Sequence, residues 1–306
     1  MISLIIAAFA ATAVPMTVSG PRGSLSGTLV DAGKAAPVVL IIPGSGPTDR
    51  DGNNPMGVTA APYRLLAEAL ATKGVSTLRA DKRGMFGSKA AIADPDAVTL
   101  ADYATDAHTW ADAFRKRTGT RCVWFLGHSE GALIALAAAQ HPQAICGLIL
   151  VAAPGRKLGA VLREQLHANR ANAPLLPQAL AAIDSLEIGR PVDVAGMPAP
   201  LLALFRPQVQ PFLIDLLKQD PQALVALTTV PVLIVQGGKD LQVSAADADA
   251  LHAARPDSQL LVVPKMNHVL KDVEGDDRAS NLAAYADPNL PVDPILVDEI
   301  ARFVRP

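Results

Sequence analysis

The segment GHSEG at residues 127–131 places a serine between two glycines, after the apolar run VWFL and before the small-residue run ALIALAAA. A buried strand that passes at once into a helix needs a very tight turn, and glycines permit one. A G-x-S-x-G segment in this strand–turn–helix context pushes the serine Oγ outward at the strand end. The pentapeptide alone also occurs by chance, but this context makes Ser129 a candidate nucleophile.

A serine hydroxyl becomes a useful nucleophile only when a base takes its proton, so a histidine is required. His268, in LLVVPKMNHVL, follows a predicted strand at its carboxyl end. The other five histidines fall on predicted helices, inside the turn itself or in a helical insertion: His108, His128, His141, His167 and His252. We therefore predict His268 as the base.

The imidazole must be oriented by a buried acid. Asp240, in VPVLIVQGGKD, stands just past another strand end, whereas the preceding strand ends in LVAAPGR without a carboxylate. Asp247 and Asp249 fall on the following helix, where we expect them to be solvated. The chain order Ser, Asp, His is the order found in α/β hydrolases.

The oxyanion of a tetrahedral intermediate needs N–H donors, and losing one such donor costs about 10²–10³ in rate. One predicted donor is the backbone N–H of Glu130. The second would come from the loop PGSGPTDRDGN, where Pro43 has no N–H, so Ser45 or Gly46 supplies it. This loop fits neither the P-loop nor the dinucleotide-binding pattern, which makes nucleotide binding a weak rival.

Apolar β-branched runs such as APVVLIIPG, RCVWFLG and ICGLILVAAPG alternate with helix-length segments. This alternation predicts a mostly parallel central sheet with helices on both faces. Between Gly155 and Thr229 it stops, and the chain is helical and interrupted by prolines. We predict an α/β core from residues 14–155 and 229–306, with a helical cap at 156–228 over the carboxyl ends of the strands.

Together GHSEG, PGSGPTDRDGN, DKRGMFGS, GGKD and NH resemble the α/β-hydrolase superfamily, most closely bacterial carboxylesterases and serine-aminopeptidase-type hydrolases. The resemblance covers nearly the whole chain outside the N-terminal segment and the cap. It implies acyl transfer to Ser129, with no cofactor and no metal. One departure is Pro43-Gly44 where the family usually has His-Gly, which leaves the second oxyanion donor open between Ser45 and Gly46.

The expected activity is hydrolysis of small carboxylic esters with short to medium acyl chains. The alternatives are a thioesterase, a serine aminopeptidase-type peptidase, and a hydrolase-fold protein that only binds its ligand. Apolar residues of the cap would line an acyl pocket or, for most of them, form the cap's own core: Leu201, Leu204, Phe205, Phe212 and Leu213. Three acidic residues are candidates for a peptide α-ammonium: Glu164, Glu187 and Asp215. We expect a structural network of ion pairs and turns from Asp49, Asp51, Asp81 and Arg83.

A formal charge of −2 over 306 residues gives no electrostatic footprint for nucleic acid. The N-terminal MISLIIAAFAATA has an apolar core and an A-x-A end but no basic region, a partial match to a signal peptide. We predict a signal peptide at residues 1–13 and export to the periplasm or medium, with a docked N-terminal strand in a cytoplasmic protein as the alternative. No later stretch is apolar enough for stable membrane insertion.

Cys122 and Cys146 begin two strands. We expect buried free thiols, although a disulfide is conceivable if those strands are neighbours.

Overall fold

An eight-stranded sheet runs through residues 12–305, the part of the chain that the computed structural model describes. Its strands are β1 Ala13–Ser19, β2 Ser24–Val30, β3 Val38–Ile42, β4 Ser76–Ala80, β5 Val123–His128, β6 Ile145–Val151, β7 Val232–Gly237 and β8 Gln259–Val263. The order across the sheet is β1-β2-β4-β3-β5-β6-β7-β8. The pairings β1–β2 and β2–β4 are antiparallel, and those from β4 to β8 are parallel. The predicted mostly parallel α/β architecture is confirmed.

Helices connect the strands and cover both faces of the sheet. They are α1 Pro62–Thr72, α2 Leu100–Thr118, α3 Glu130–Ala139, α4 Leu158–Ala168, α5 Leu176–Glu187, α6 Ala199–Phe205, α7 Gln210–Leu217, α8 Pro221–Leu227, α9 Ala245–Ala254, α10 Arg278–Ala283 and α11 Pro294–Phe303. α2 begins at a capping box in which Thr99 and Asp102 satisfy each other's backbone N–H, and it ends at Gly119 with φ 75°. Both signals are readable in the sequence, and they fix the length of this helix.

The core lies in two layers, one on each face of the sheet. In β3 the side chains of Val38, Leu40 and Ile42 pack with α2 and α3, whereas Val39 and Ile41 pack with α1 and α11. Strands buried on both faces read as continuous apolar runs, because every residue faces one of the two layers. This explains why the apolar runs of the sequence located the central strands.

The N-terminal end of the described chain forms a hairpin of β1 and β2 at the sheet edge. The alternating polar and apolar residues of GSLSGTLVDAG are typical of such an antiparallel edge strand. β1 begins at Ala13, the last residue of the predicted signal peptide. Residues 1–11 of that segment lie outside the described residues, so its cleavage stays a prediction.

The helices between Gly155 and Thr229 have a small core of their own. Leu201 and Phe205 are buried in it, with Leu204 and Leu213 packed against it. Phe212 instead contacts Tyr103 of α2, with ring centroids 5.8 Å apart. Most of the apolar residues proposed for an acyl pocket are thus occupied in holding the insertion together. The division at residues 156–228 into a cap stays a prediction.

The two cysteines form a disulfide bond, so the expectation of free thiols is wrong. β5 and β6 are neighbouring parallel strands with Val123 opposite Ile145. Cys122 and Cys146 flank that pair, and their Cα atoms lie 5.1 Å apart, within the range that a disulfide spans. The pairing, which the sequence left open as an alternative, depends on the adjacency and register of β5 and β6.

Reduction of this disulfide is expected to lower the free energy of unfolding by about 3 kcal/mol, because the bridge closes a loop with a sequence separation of 24. The turnover number should stay unchanged, since the bridge lies at the amino ends of β5 and β6, opposite the edge where Ser129 stands. Urea unfolding with and without a phosphine reductant measures the first effect. The double variant Cys122→Ala/Cys146→Ala serves as control, because the reductant should not shift its unfolding. Equal wild-type stability in both conditions would contradict the prediction.

Candidate active site

Ser129 occupies a sharp turn between β5 and α3, with φ 54° and ψ −123°. A residue other than glycine rarely adopts such backbone angles, so this elbow is strained. The flanking glycines permit a close approach of three segments. A Cβ on Gly127 would lie 2.2 Å from the carbonyl oxygen of Gly131, and a Cβ on Gly131 would lie 2.2 Å from that of Ile42. The G-x-S-x-G spacing therefore has a steric cause in this fold.

Asp240 and His268 meet as the sequence predicted. Asp240 follows β7 and His268 follows β8, the next strand of the sheet. The Nδ1 atom of His268 lies 2.8 Å from Oδ2 of Asp240, and the Asp240 side chain is completely buried. The other carboxylate oxygen, Oδ1, accepts the backbone N–H groups of Gln242 and Val243 at 2.7 and 3.0 Å.

These contacts decide the protonation of the pair. Burial by itself would raise the pKa of Asp240, but the charge and hydrogen bond of His268 and two backbone N–H groups outweigh it and hold that pKa below its ordinary value. An ionised Asp240 only accepts hydrogen bonds, so Nδ1 of His268 carries the proton. In the neutral imidazole with its proton on Nδ1, the Nε2 atom has a lone pair and can act as a base.

Ser129 stands beside this pair without being joined to it. Within residues 12–305, no hydrogen bond connects Ser129 Oγ with the His268 imidazole. The two loops are nevertheless adjacent, since His128 Nε2 lies 2.8 Å from the His268 carbonyl oxygen and the two rings are 4.7 Å apart.

The loop after β3 lies against the turn that holds Ser129. Gly44 approaches Ser129 so closely that a Cβ on Gly44 would lie 3.4 Å from Ser129 Cβ. Among the described residues, the N–H groups of Ser45, Gly46 and Glu130 have no protein acceptor, whereas that of Gly44 donates to the Tyr63 hydroxyl at 3.1 Å. All three predicted donors are therefore unpaired within the described part of the chain, and the N–H of Gly44 is not.

A buried chain of hydrogen bonds links the loop after β3 to the loop of His268, and sequence reasoning missed it. Tyr63 of α1 lies with its hydroxyl 2.8 Å from Nδ1 of His128. The His268 carbonyl can only accept, so Nε2 of His128 donates to it and Nδ1 accepts from Tyr63. The chain thus runs from Gly44 N–H to Tyr63, to His128 and to the His268 backbone. The one signal in the sequence is that His128 directly follows the apolar run VWFLG of a buried strand.

This chain requires a neutral His128. Burial, followed by the charge of nearby His268, lowers the pKa of His128 to about 3. In an unfolded chain a histidine has a pKa of about 6.5. Between these two values the unfolded state binds one proton more than the folded state, so the stability that His128 confers is complete above pH 6.5 and is lost as the pH falls towards 3.

The stability of the protein is therefore expected to fall by up to about 1.4 kcal/mol per pH unit through that window on account of His128. In the variant His128→Gln the slope between pH 6 and 4 should be smaller by about one proton. Urea unfolding at each pH measures it. His141→Gln, at an exposed position after α3, is the matched control and should keep the wild-type slope. Identical slopes for wild type and His128→Gln would show that His128 is protonated in the folded state.

The charged residues after β4 and in the oxyanion loop form the expected structural network. Asp81 pairs with Arg50, Asp51 with Arg79, and Arg83 with Asp102 and Asp106. Asp49 accepts backbone N–H groups within its own turn.

The acidic candidates for a peptide α-ammonium are also occupied. Glu164 pairs with Arg156, Glu187 with Arg163, and Asp215 accepts the Leu100 N–H at 2.8 Å.

Across residues 12–305 no group of three or more His, Cys, Asp or Glu side chains is arranged to hold a metal ion. Among the helices of that range, none has the length and apolarity needed to cross a membrane.

Known proteins share both the sequence pattern and the fold. A relative, the esterase EstD of Thermotoga maritima, is 28% identical over 301 residues, which cover 94% of this chain and 66% of that esterase. The chain thus spans just under two thirds of the length of this curated relative. The esterase Pf2001 of Pyrococcus furiosus superposes with a TM-score of 0.58 at 15% identity, covering 96% of this chain and 92% of that one. A thermophilic esterase from Thermogutta terrifontis superposes with a TM-score of 0.57 at 17% identity, covering 96% and 98%.

At these identities the structural likenesses establish the fold. The model of the alpha/beta hydrolase family matches residues 38–277, well over half of the sequence, and includes Ser129, Asp240 and His268. The sheet order, the strained elbow and the acid–histidine pair at consecutive strand ends agree with this match. The chain belongs to the alpha/beta hydrolase family.

Proposed function

We propose that the protein is a serine hydrolase that cleaves carboxylic esters through an acyl-enzyme on Ser129. The observation that carries this proposal is the buried hydrogen bond of 2.8 Å between Asp240 and His268, at the same sheet edge as the strained serine elbow. The name of the Thermotoga maritima relative, an esterase, supports the same class of reaction.

The reaction proceeds in two balanced halves. Substrate binding turns Ser129 Oγ towards Nε2 of His268, and Oγ attacks the ester carbonyl carbon while Nε2 takes its proton. The tetrahedral oxyanion accepts hydrogen bonds from the backbone N–H groups beside Ser129. Collapse of the tetrahedral intermediate breaks the ester C–O bond, and His268 returns the proton to the leaving alcohol. Water then repeats the sequence on the acyl-enzyme, releasing the carboxylic acid and restoring the Ser129 hydroxyl.

Two exposed apolar side chains flank the site and support small esters as substrates. Met56 is 76% exposed, and its Cε would lie 3.8 Å from a Cβ built on Gly46 in the oxyanion loop. Leu241, which directly follows Asp240, is 41% exposed. Two such contacts suit a short to medium acyl or alcohol chain, since each fully buried aliphatic side chain contributes about 1.5–3 kcal/mol.

A serine-directed fluorophosphonate separates this proposal from a protein that only binds its ligand. The reagent should phosphonylate the wild type once, and peptide mapping should find the adduct on Ser129. Parallel assays with p-nitrophenyl esters, thioesters and aminoacyl arylamides then distinguish the three substrate classes, and we expect the esters of short to medium acids to give the highest kcat/KM. Failure to label, together with no ester turnover, would overturn the proposal. A preference for arylamides would assign a peptidase instead.

We also propose that the protein works in an oxidising compartment. The bond between Cys122 and Cys146 supports this, because disulfides persist in exported proteins and are rare in the cytosol. Alkylation of intact cells with a membrane-impermeant maleimide, before and after reduction, tests it. Two new adducts after reduction are the expected result; reaction without prior reduction would contradict it.

A further inference from the structure

A buried lysine lies directly behind the proposed oxyanion site. Lys82 follows β4 by two residues, and only 4% of its side chain is exposed. Its Nζ atom donates to the Gly44 carbonyl oxygen at 2.6 Å and lies 3.3 Å from Oε1 of Glu130. A strongly hydrated ammonium is costly to bury, so these partners must be well placed to retain it.

The first partner belongs to a peptide unit with a free N–H group. The Gly44 carbonyl and the Ser45 N–H form one planar amide, and within residues 12–305 every peptide bond is trans. In a trans amide the oxygen and the hydrogen point in opposite directions. The ammonium therefore holds the carbonyl on one side while the unpaired Ser45 N–H points to the other.

A charge-assisted hydrogen bond to the carbonyl also polarises this amide. Hydrogen bonds in series strengthen one another, so a carbonyl that accepts from a cation makes the attached N–H a stronger donor. The next peptide unit contains the Ser45 carbonyl and the Gly46 N–H. Among residues 12–305 its carbonyl accepts only from the neutral Thr48 hydroxyl, at 2.9 Å. The two candidate donors thus differ in the charge behind them.

The second partner of the ammonium is Glu130, the residue after Ser129. Its backbone N–H, the first predicted oxyanion donor, has no acceptor within residues 12–305. Its side chain is 12% exposed. Its carboxylate reaches from the first turn of α3 to Lys82. The Lys82 ammonium consequently contacts the Gly44–Ser45 peptide unit and the Glu130 side chain, and each of these carries one of the proposed oxyanion donors.

We propose that Lys82 is a positioning residue that fixes the two oxyanion donors relative to each other, and that the second donor is the Ser45 N–H rather than that of Gly46. This inference rests on the proposed ester hydrolysis. Lys82 touches no reacting atom. It acts through the Gly44–Ser45 amide and through the Glu130 carboxylate.

The variant Lys82→Met keeps most of the unbranched side chain and removes the ammonium with its hydrogen bonds. Its kcat for a p-nitrophenyl ester should fall by about 100-fold, comparable to the loss of one oxyanion donor, while KM stays within about threefold. A reversible boronic acid, which becomes tetrahedral on a reactive serine, should lose affinity by about the same factor as kcat/KM. Lys82→Met leaves the Glu130 carboxylate without its cation, which could destabilise the fold. The double variant Lys82→Met/Glu130→Gln replaces that carboxylate by a neutral amide, and its kcat should still be about 100-fold below that of the wild type.

Two control variants isolate the position of the ammonium. Thr48→Val removes the hydroxyl behind Gly46, and Lys89→Met removes an exposed lysine seven residues along; both should keep kcat within about threefold of the wild type. The inference is overturned if the Lys82 variants keep full kcat, if only KM changes, if boronate affinity does not follow kcat/KM, or if Thr48→Val is the variant that loses kcat. A wild type without ester turnover or phosphonate labelling overturns the proposed function instead.

Discussion

Replacement of Ser129 by alanine is expected to lower kcat for p-nitrophenyl ester hydrolysis by at least about 10⁴-fold. Alanine lacks the oxygen that would form the proposed acyl-enzyme, so only the proposed oxyanion donors and substrate binding would remain to accelerate attack by water. The fold should be unaffected, because the alanine Cβ occupies the same position and keeps the backbone at φ 54°. Steady-state kinetics of the purified variant measure the loss.

A second substitution at the same position separates chemistry from backbone strain. Ser129→Gly removes the same oxygen, but glycine adopts φ 54° and ψ −123° without a Cβ clash. We expect it to be as inactive as Ser129→Ala and more stable by about 1 kcal/mol, since the relieved strain exceeds the entropic cost of glycine. Ser185→Ala, in the insertion, is the control for activity. Retained turnover in Ser129→Ala would refute the nucleophile, and a less stable Ser129→Gly would refute the strain.

The sequence predicted those parts of the molecule that depend on local pattern. The continuous apolar runs of β3, β5, β6 and β7 revealed the parallel sheet, because each strand is buried on both faces. The positions of Asp240 and His268 followed from the same reasoning, since parallel strands end at one edge of a sheet. Their separation of 2.8 Å was not readable, but their adjacency was.

Contacts between distant segments were not predictable in this way. The bond between Cys122 and Cys146 depends on the register of β5 against β6, and no residue pattern encodes that register. Tyr63 reaches His128 from a helix 65 residues earlier. Lys82 lies within DKRGMFGS, but the predicted ion-pair network included only its neighbours Asp81 and Arg83. A lysine two residues after a buried strand was the available signal, and it does not identify the partner.

The substitution Asp240→Asn is expected to lower kcat near neutral pH by about 10³–10⁴-fold while preserving the fold. The neutral amide has nearly the shape of the carboxylate, so the volume of this buried position does not change. Asp249→Asn, at an exposed position on α9, is the matched control and should leave kcat unchanged. Circular dichroism and urea unfolding check that the Asp240→Asn variant remains folded.

The size of this effect follows from the direction of the hydrogen bonds around residue 240. The backbone N–H groups of Gln242 and Val243 both point at Oδ1, so the amide oxygen must take that place. The amide nitrogen then faces Nδ1 of His268, where the carboxylate oxygen lay at 2.8 Å. Because this nitrogen only donates, Nδ1 must accept, and the proton of a neutral imidazole moves to Nε2. His268 then presents an N–H to Ser129 in place of a lone pair, and it cannot take the serine proton. If Asp240→Asn retained wild-type kcat, proton transfer from Ser129 would have to use a base other than His268.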